Sequence, residues 1–392
     1  MGGRLAVLDG LRGIAIVIVV WFHIWEWTWL NPHVRFFGTD VSLTFISATG
    51  FTGVDLFFFI SGFVLFYPYA RHAFAAAELP TLQHFAYRRF IKIVPSYYLQ
   101  IALLTPVIAA AYSGAGLAWQ YLAHLTFIFN WFGSTYGAIN GVWWTLAVEV
   151  QFYVLFPLLC WSFCRWPLAS FGAMLLVANA YRLALARCCL GDTLLMTQLP
   201  SFFDLFACGM FAAYAFVLLH EMRLSARWAA AFTALSIAGF LAYGGLLYRL
   251  YELHALASWA QVWANSDLTW LGLSFVAIAV GGCLGASWLR VALSNRALAF
   301  FALISYNLYL WHQLVANYVG EHVRLLQRPA GFQADVRWQL TFTAVAALLS
   351  IALAAIITFA FERPLLALGF KGVGARLLAG AQFTGSEESS GS

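Results

Sequence analysis

Apolar residues occupy this chain in long stretches, separated by short segments that carry most of the charged and turn-forming residues. A helix needs roughly 20 apolar residues to cross the hydrocarbon core of a bilayer. The pattern predicts an all-α, polytopic membrane bundle of ten helices, with an eleventh as an open alternative. The predicted spans are 11–30, 51–69, 93–112, 143–163, 168–187, 202–219, 228–248, 268–286, 299–319 and 338–360.

The segment 117–131 is the candidate for an eleventh span. It is short and contains Gln120, His124 and Asn130. If it does not cross, the 21 Lys and Arg residues divide 14 to 7 in favour of the N-terminal side, and if it crosses they divide 12 to 9. Cytoplasmic loops carry an excess of Lys and Arg, which favours the first division. We therefore predict ten spans, both termini in the cytoplasm, and 117–131 as a re-entrant or surface segment on the outer side.

Composition supports the membrane class. Hydrophobic residues make up 63% of the chain and charged residues 9%, whereas soluble domains are roughly 25% charged. The net charge of +5 is not a nucleic-acid signature, because the basic residues cluster in the loops between spans. The six cysteines lie in or beside apolar segments, without the spacing of a disulfide framework or a metal site. We predict one transmembrane domain over 1–370 and a short, disordered cytoplasmic tail over 371–392.

The first span carries ionisable residues in a defined pattern. Arg12 stands at its entrance and His23 follows eleven residues later, which is roughly 16 Å along a helix and about half of the bilayer core. Eleven residues make close to three turns, so both side chains lie on one face, and Asp9 and Glu26 extend the stripe. An ionisable group at this depth is costly, so a functional His23 is favoured about two to one over a neutral histidine that bridges two helices.

Glu149 and His312 are also predicted deep in their spans, each with polar neighbours on the same helix face. The neighbours are Thr145 and Tyr153 for Glu149, and Ser305 and Tyr309 for His312. Structural interpretations stay open: a protonated Glu149 bonded to a neighbouring helix, and an interhelical hydrogen bond for His312, weighed equally with a substrate role. Asp55 and Asp204 are predicted near the outer ends of their spans.

Ser61 and Gly62 form a pair of small residues inside the second span. Such a pair most often lets a neighbouring helix approach closely. We favour packing for Ser61 about four to one over a nucleophile, because the G-x-S-x-G elbow that would argue for one is missing.

Arg88, Arg89 and Lys92 form a basic cluster immediately cytoplasmic of the third span. The common meaning of such a cluster is topological, a positive-inside signal with contacts to membrane lipid headgroups. The alternative is a site for a phosphate-rich cytosolic ligand, because guanidinium groups match phosphate geometry.

Six short motifs occur along the chain in the order typical of one family. They are LDGLRGIAIVIVVWFH, GVDLFFFISGF, YRRFIKIVPSYYL, WWTLAVEVQFYVLFP, SYNLYLWH and FERP. With these motifs the chain resembles the acyltransferase-3 family of bacterial inner-membrane O-acyltransferases over about residues 5–365. The resemblance implies a bundle that takes an acyl group, usually acetyl, from cytoplasmic acyl-coenzyme A. It delivers the group to a hydroxyl of a sugar, glycan or glycolipid, commonly at the outer face, without a permanently bound cofactor.

The resemblance also implies roles for individual residues. These are Arg12 and His23 as essential, the region of Arg88 and Arg89 as coenzyme-binding, and Glu149 and Glu362 as functionally important. Lys92 stands where many members carry a third arginine, and it keeps the charge but loses the bidentate fork.

The chemistry fits the residues. Acyl transfer from a thioester to an alcohol needs a base for the hydroxyl proton and donors for the tetrahedral oxyanion. The histidine of the first span can be the base, oriented by Glu149 or Glu26. The phosphates of the coenzyme would stay at Arg88, Arg89 and Arg12 while the pantetheine arm carries the acyl group inward. Direct transfer and a protein-bound acyl group both remain open. The competing classes are a proton-coupled transporter that uses the buried His and Glu groups and a non-catalytic scaffold.

Overall fold

The computed structural model describes residues 2–36, 38–222, 225 and 227–368. These ranges hold fifteen α-helices and one antiparallel pair of strands. The helices are α1 Gly2–Thr28, α2 Thr44–Ala48, α3 Gly53–Ala75, α4 Leu82–Ala111, α5 Gly114–Leu125, α6 Trp144–Arg165, α7 Pro167–Cys188, α8 Thr193–Met196, α9 Phe203–Glu221, α10 Arg227–Leu253, α11 Trp259–Ser266, α12 Leu268–Leu284, α13 Ser287–Leu293, α14 Arg296–His322 and α15 Val336–Ile357, and the strands are β1 His33–Phe36 and β2 Thr39–Ser42. The predicted tail, 371–392, lies outside the described residues.

Nine helices within the described ranges are long and apolar enough to cross a membrane, and α11 and α12 make a tenth span if this pair, bent by 52°, crosses as one. The nine are α1, α3, α4, α6, α7, α9, α10, α14 and α15, the last continuing through a π-helical turn, Thr358–Glu362, to Leu368. Each of the ten predicted spans coincides with one of these elements. The prediction of an all-α polytopic bundle is confirmed.

The direction of the helices decides whether α5 crosses. A Cβ atom on Gly13 of α1 would lie 2.3 Å from the carbonyl oxygen of Leu298 near the start of α14, and Gly320 near the end of α14 packs against Trp27 near the end of α1. The two helices therefore run parallel. Successive spans alternate in direction, so two parallel helices are separated by an odd number of spans. If α11 and α12 count as one span and α5 does not cross, α1 is the first span and α14 the ninth, which meets this condition. With 12 residues, α5 is also only about 18 Å long at 1.5 Å per residue.

Close packing of α3 on α9 anchors the centre of the bundle. A Cβ atom on Gly62 would lie 2.2 Å from the carbonyl oxygen of Phe206, and one on Gly209 would lie 2.0 Å from that of Phe59. Only glycine allows the two backbones to approach so closely, as is common where membrane helices cross. Gly62 thus has the packing role that the sequence predicted for the small pair.

A buried ion pair joins α7 and α9. Arg182 donates to Asp204 at 2.7 Å and to the backbone carbonyl of Ser201 at 2.7 Å, and Thr269 of α12 donates to the same carboxylate at 2.6 Å. Arg182 and Asp204 are both fully enclosed, so the pair leaves little charge uncompensated in the interior. Asp55 is buried on α3 within electrostatic range of this pair, and it does not line the cavities described below.

Candidate active site

A small cavity of about 90 Å³, here called the inner cavity, lies between α1, α3, α4, α6 and α14. Its polar lining consists of Arg12, Ser61, Arg89, Lys92, Thr145, Glu149, Tyr153, Ser305, Tyr306 and Tyr309. The cavity collects side chains from five helices that are far apart in the sequence. The stripe predicted on α6 lines it in full, whereas Ser305 and Tyr309 of the stripe predicted on α14 line it and His312 does not.

Glu149 accepts two short hydrogen bonds at the wall of the inner cavity. Ser61 of α3 donates to its Oε1 at 2.6 Å, and Tyr153, one turn further along α6, donates to the same oxygen at 2.5 Å. The guanidinium of Arg89 stands over the ring of Tyr153, 5.9 Å from its centroid. Glu149 is therefore held by hydroxyl donors from two helices, and it makes no hydrogen bond to His23.

A second cavity of about 250 Å³, here called the basal cavity, lies where α1 and α4 begin and the last helix ends. Its lining is Leu8, Asp9, Arg12, Ile60, Val64, Arg88, Arg89, Lys92 and Leu366. Three cations, Arg12, Arg89 and Lys92, line both this cavity and the inner cavity. These three positively charged side chains therefore lie between the two cavities.

Lys92 is tied to the last helix through Glu362. The ammonium group forms an ion pair with Oε1 of this carboxylate, while Asn307 of α14 donates to Oε2 at 2.6 Å. Glu362 closes the π-helical turn, a geometry that is frequent at functional sites because it redirects side chains out of the regular helix pattern. Glu362, which the family resemblance singled out, thus orients one of the three cations.

His23 lies eleven residues after Arg12, near the end of α1, in a separate group of polar side chains. Its Nδ1 stands 2.7 Å from Oε2 of Glu26, and the amide of Gln313 lies 3.5 Å away. An ionised carboxylate only accepts hydrogen bonds, so Nδ1 carries a hydrogen, and in the neutral imidazole Nε2 then has the lone pair. The His23 side chain is 15% exposed and that of Glu26 is 47% exposed, so solvent can enter from this end.

His312 packs directly behind His23, with the two ring centroids 5.0 Å apart. Its Nδ1 lies 3.0 Å and 2.9 Å from the carbonyl oxygens of Leu308 and Tyr309. Two acceptors at Nδ1 place the hydrogen there and leave Nε2 as an acceptor. This Nε2 is buried and has no hydrogen-bond partner among the described residues.

Tyr309 and Thr145 stand between the inner cavity and the two histidines. The Tyr309 hydroxyl lies 2.8 Å from Oγ1 of Thr145 and donates to the carbonyl oxygen of Val142 at 3.0 Å. On its other side the Tyr309 ring is 5.7 Å from that of His312. Polar groups therefore form a column from the three cations, past Glu149, to the histidines.

The structure separates some residues that the sequence grouped. Of the two carboxylates considered for orienting His23, Glu26 makes the contact and Glu149 does not. Ser61, expected to pack like Gly62, points its hydroxyl into the inner cavity instead. Tyr306, Asn307 and Gln313 were not singled out, although the first two belong to the SYNLYLWH motif of α14 and Gln313 follows it directly. Their place in or next to this motif was the available signal.

Several known proteins are similar to this chain. A stretch of 173 residues is 27% identical to the peptidoglycan O-acetyltransferase OatA of Listeria monocytogenes, covering 41% of this chain and 24% of that protein. Over 191 residues the chain is 31% identical to nodulation protein 10 of Rhizobium leguminosarum, covering 44% and 48%. Over 169 residues it is 27% identical to an O-acetyltransferase OatA of Staphylococcus aureus, covering 38% and 24%. These matches span less than half of each relative's length. No solved structure matches the chain.

A comparison at the level of families covers much more of the chain. The model of the acyltransferase domain matches residues 5–361. This range includes the whole lining of the inner cavity, and all of the basal cavity except Leu366. The chain therefore belongs to the acyltransferase 3 family.

Proposed function

We propose that this protein is a membrane O-acyltransferase that moves an acyl group, mainly acetyl, from acyl-coenzyme A to a hydroxyl of a sugar, glycan or glycolipid. One observation carries the proposal. Three cations stand between two cavities, and a column of polar groups leads from there to a carboxylate-paired histidine near the end of α1. This arrangement provides separate places for an anionic donor and for an acceptor hydroxyl.

The basal cavity suits the phosphates of the donor. Arg88 and Arg89 supply guanidinium groups there, and Arg12 and Lys92 add two further positive charges. Guanidinium groups bind phosphate oxygens with two parallel hydrogen bonds. Phosphates cannot enter hydrocarbon cheaply, so they stop at the cations while the uncharged pantetheine arm passes between them into the inner cavity.

The inner cavity suits the reacting thioester. The carbonyl carbon becomes tetrahedral during acyl transfer and its oxygen gains negative charge. Arg12, Arg89 and Lys92 all line this cavity and would stabilise that oxygen. The small volume, about 90 Å³, favours a short acyl group such as acetyl.

His23 is the proposed general base for the acceptor. Its Nδ1–H is oriented by Glu26, which leaves Nε2 to take the hydroxyl proton, as the carboxylate-oriented histidine does in hydrolase triads. An imidazole is the side chain best suited to gain and lose a proton near neutral pH. Solvent access beside Glu26 allows a polar acceptor to approach from that end.

We also infer the orientation in the membrane. The excess of Lys and Arg supports a cytoplasmic side for the basal cavity and both termini, where acyl-coenzyme A is made, with His23 towards the outer face of a bacterial inner membrane. Protease sites inserted after Leu79 and after Leu325 should be cleaved from opposite sides of the membrane. Cleavage of both from one side would reject this orientation.

The names of the relatives support the acyl group and the class of acceptor. Two are O-acetyltransferases, and one of these is named for peptidoglycan. The proposed acceptor is accordingly a carbohydrate hydroxyl of the cell envelope.

The direct test uses the purified full-length protein in lipid nanodiscs with acetyl-coenzyme A. We expect saturable binding that free coenzyme A competes and that pantetheine, which lacks the phosphates, does not. Arg165→Ala is a suitable control, because this cation stacks on Trp166 at 5.1 Å outside both cavities and its loss should leave binding intact. Folded wild-type protein that neither binds acetyl-coenzyme A nor releases free coenzyme A from it would contradict the proposal.

A further inference from the structure

Ser61 differs from its neighbour Gly62 and from the serines at 274 and 305. Serines within helices commonly donate back to a carbonyl of their own helix. Ser305, which lines the same cavity, does so at 2.8 Å from the oxygen of Ala302, and Ser274 does so at 2.7 Å from that of Leu271. Ser61 instead donates across an interhelical space to Glu149 at 2.6 Å.

The contact between Ser61 and Glu149 has the geometry of a nucleophile and its base. A hydroxyl becomes nucleophilic when an adjacent acceptor within about 2.6–3.2 Å takes its proton, and a third group usually orients that acceptor. Tyr153 supplies the third group, since its hydroxyl donates to the same oxygen at 2.5 Å. Ser61 is 6% exposed and that exposure faces the inner cavity.

The charges around this pair complete the requirements for acylation. Arg12, Arg89 and Lys92 line the same small cavity as Ser61. They offset the negative charge of Glu149 and stand where an oxyanion would develop. A thioester that enters past these cations therefore meets Ser61 and Glu149 on the cavity wall.

We propose that Ser61 is an acyl-accepting nucleophile, with Glu149 as its general base, and that the enzyme works through an acyl-Ser61 ester. This inference rests on the proposed function, because it assumes an acyl-coenzyme A donor. It adds a covalent modification site and a two-step order of reaction.

In the first step the hydroxyl proton of Ser61 passes to the Glu149 carboxylate. Oγ forms a bond to the acyl carbonyl carbon, the carbon–sulfur bond breaks, and the departing thiolate takes the proton from Glu149. The products are acyl-Ser61 and free coenzyme A, with the carboxylate restored. In the second step the acceptor oxygen replaces Oγ at the acyl carbon, and the proton that the acceptor loses balances the one that Ser61 regains.

A covalent intermediate suits the small volume of the inner cavity, about 90 Å³. An acyl group stored on Ser61 allows the coenzyme to leave the inner cavity before the acceptor is engaged. Donor and acceptor then do not have to occupy the small cavity at the same time.

The test is labelling of the full-length protein in nanodiscs with [14C]acetyl-coenzyme A in the absence of acceptor, followed by peptide mapping. We expect one hydroxylamine-sensitive acetyl ester per chain, on the peptide that contains Ser61. Ser61→Ala should lose the label, and Ser274→Ala, at a serine outside both cavities, should keep it. Glu149→Gln, which retains a hydrogen-bond acceptor, should slow labelling by roughly 10²–10⁴-fold, the usual contribution of a general base. Ser61→Cys should carry the label as a thioester.

The outcomes separate this proposal from the proposed function. Wild-type protein that consumes acetyl-coenzyme A while Ser61 stays unlabelled, or Ser61→Ala that consumes it at the wild-type rate, would overturn the acyl-Ser61 intermediate alone. Wild-type protein that does not bind acetyl-coenzyme A would overturn the proposed function. If Ser61→Ala fails to fold, the position of the label in the wild-type protein decides the question.

Discussion

Lys92→Met should destabilise this protein more than Glu362→Gln, although the two residues form one ion pair. The partners differ in burial, because the side chain of Glu362 is 4% exposed and that of Lys92 is 31% exposed. Removing Lys92 leaves a buried carboxylate with Asn307 as its remaining side-chain donor. Neutralising Glu362 leaves an ammonium group beside the basal cavity, where water and donor phosphates can solvate it.

The expected costs follow from that difference. Removing one partner of a buried pair costs about 3–5 kcal/mol, mainly because a charge is left unpaired. Asn307 still donates to the carboxylate, so we expect about 3 kcal/mol for Lys92→Met, at the lower end of that range. Glu362→Gln loses one charge-assisted hydrogen bond, which is about 1.5 kcal/mol. The double variant leaves no buried charge unpaired, so it should be more stable than Lys92→Met alone.

Denaturant-induced unfolding of the four proteins in detergent micelles measures these free energies as a double-mutant cycle. The decisive observation is whether adding Glu362→Gln to Lys92→Met raises or lowers the free energy of unfolding. Stability that rises when Glu362→Gln is added to Lys92→Met supports an ion pair whose buried member depends on its partner. Costs that simply add, or a larger cost for Glu362→Gln than for Lys92→Met, would refute the reasoning.

Two further predictions concern the donor and the packing of the bundle. Replacing Arg88 and Arg89 together by Ala should weaken acetyl-coenzyme A binding by at least about tenfold per arginine, since a charge-assisted hydrogen bond is worth about 1.5–3 kcal/mol. Unchanged binding by the folded variant would mean that the cluster serves only as a positive-inside topology signal. Gly209→Ala should lower the unfolding temperature, because its Cβ would lie 2.0 Å from a backbone oxygen of α3, whereas the control Gly244→Ala, with open space around it, should not. Equal stability of the two alanine variants would contradict the close approach of α3 and α9.

Helical periodicity made part of the site predictable. Side chains three or four residues apart share a helix face, and this placed Thr145, Glu149 and Tyr153 together, and Ser305 with Tyr309. All five line the inner cavity. Apolar stretches likewise located the spans, because their length is fixed by the thickness of the bilayer.

Contacts between helices were not predictable in the same way. Ser61 and Glu149 are 88 residues apart, and Lys92 and Glu362 are 270 apart. Their meeting depends on how each helix is rotated and shifted against its neighbours, which is set by close backbone contacts such as the one at Gly62. A single sequence shows the small residue but not its partner, so Ser61 was assigned to packing together with Gly62.

The carboxylate beside His23 illustrates the same limit. Glu26 lies three residues away on the same helix, so periodicity placed it there correctly. Glu149, predicted deep in its span, was the other carboxylate named for this role. Depth alone does not place two side chains together when Tyr309 and Thr145 stand between them.

The central claim is that His23 is a base and not a structural bridge, and His23→Asn tests it most directly. Asparagine can keep a hydrogen bond but cannot take the acceptor proton. The measurement is the ester-linked acetate on cell-envelope glycans per amount of folded protein, with His254→Asn as a control, because His254 stacks on Trp259 outside both cavities.

We predict that His23→Asn lowers acetate transfer by roughly 10²–10⁴-fold, the usual contribution of a general base, while folded protein and acetyl-coenzyme A binding stay at wild-type levels. A histidine that only bridges helices contributes about 0.6 kcal/mol, and its loss would reduce acetate only in step with folded protein. Near wild-type acetylation by folded His23→Asn protein would contradict the account.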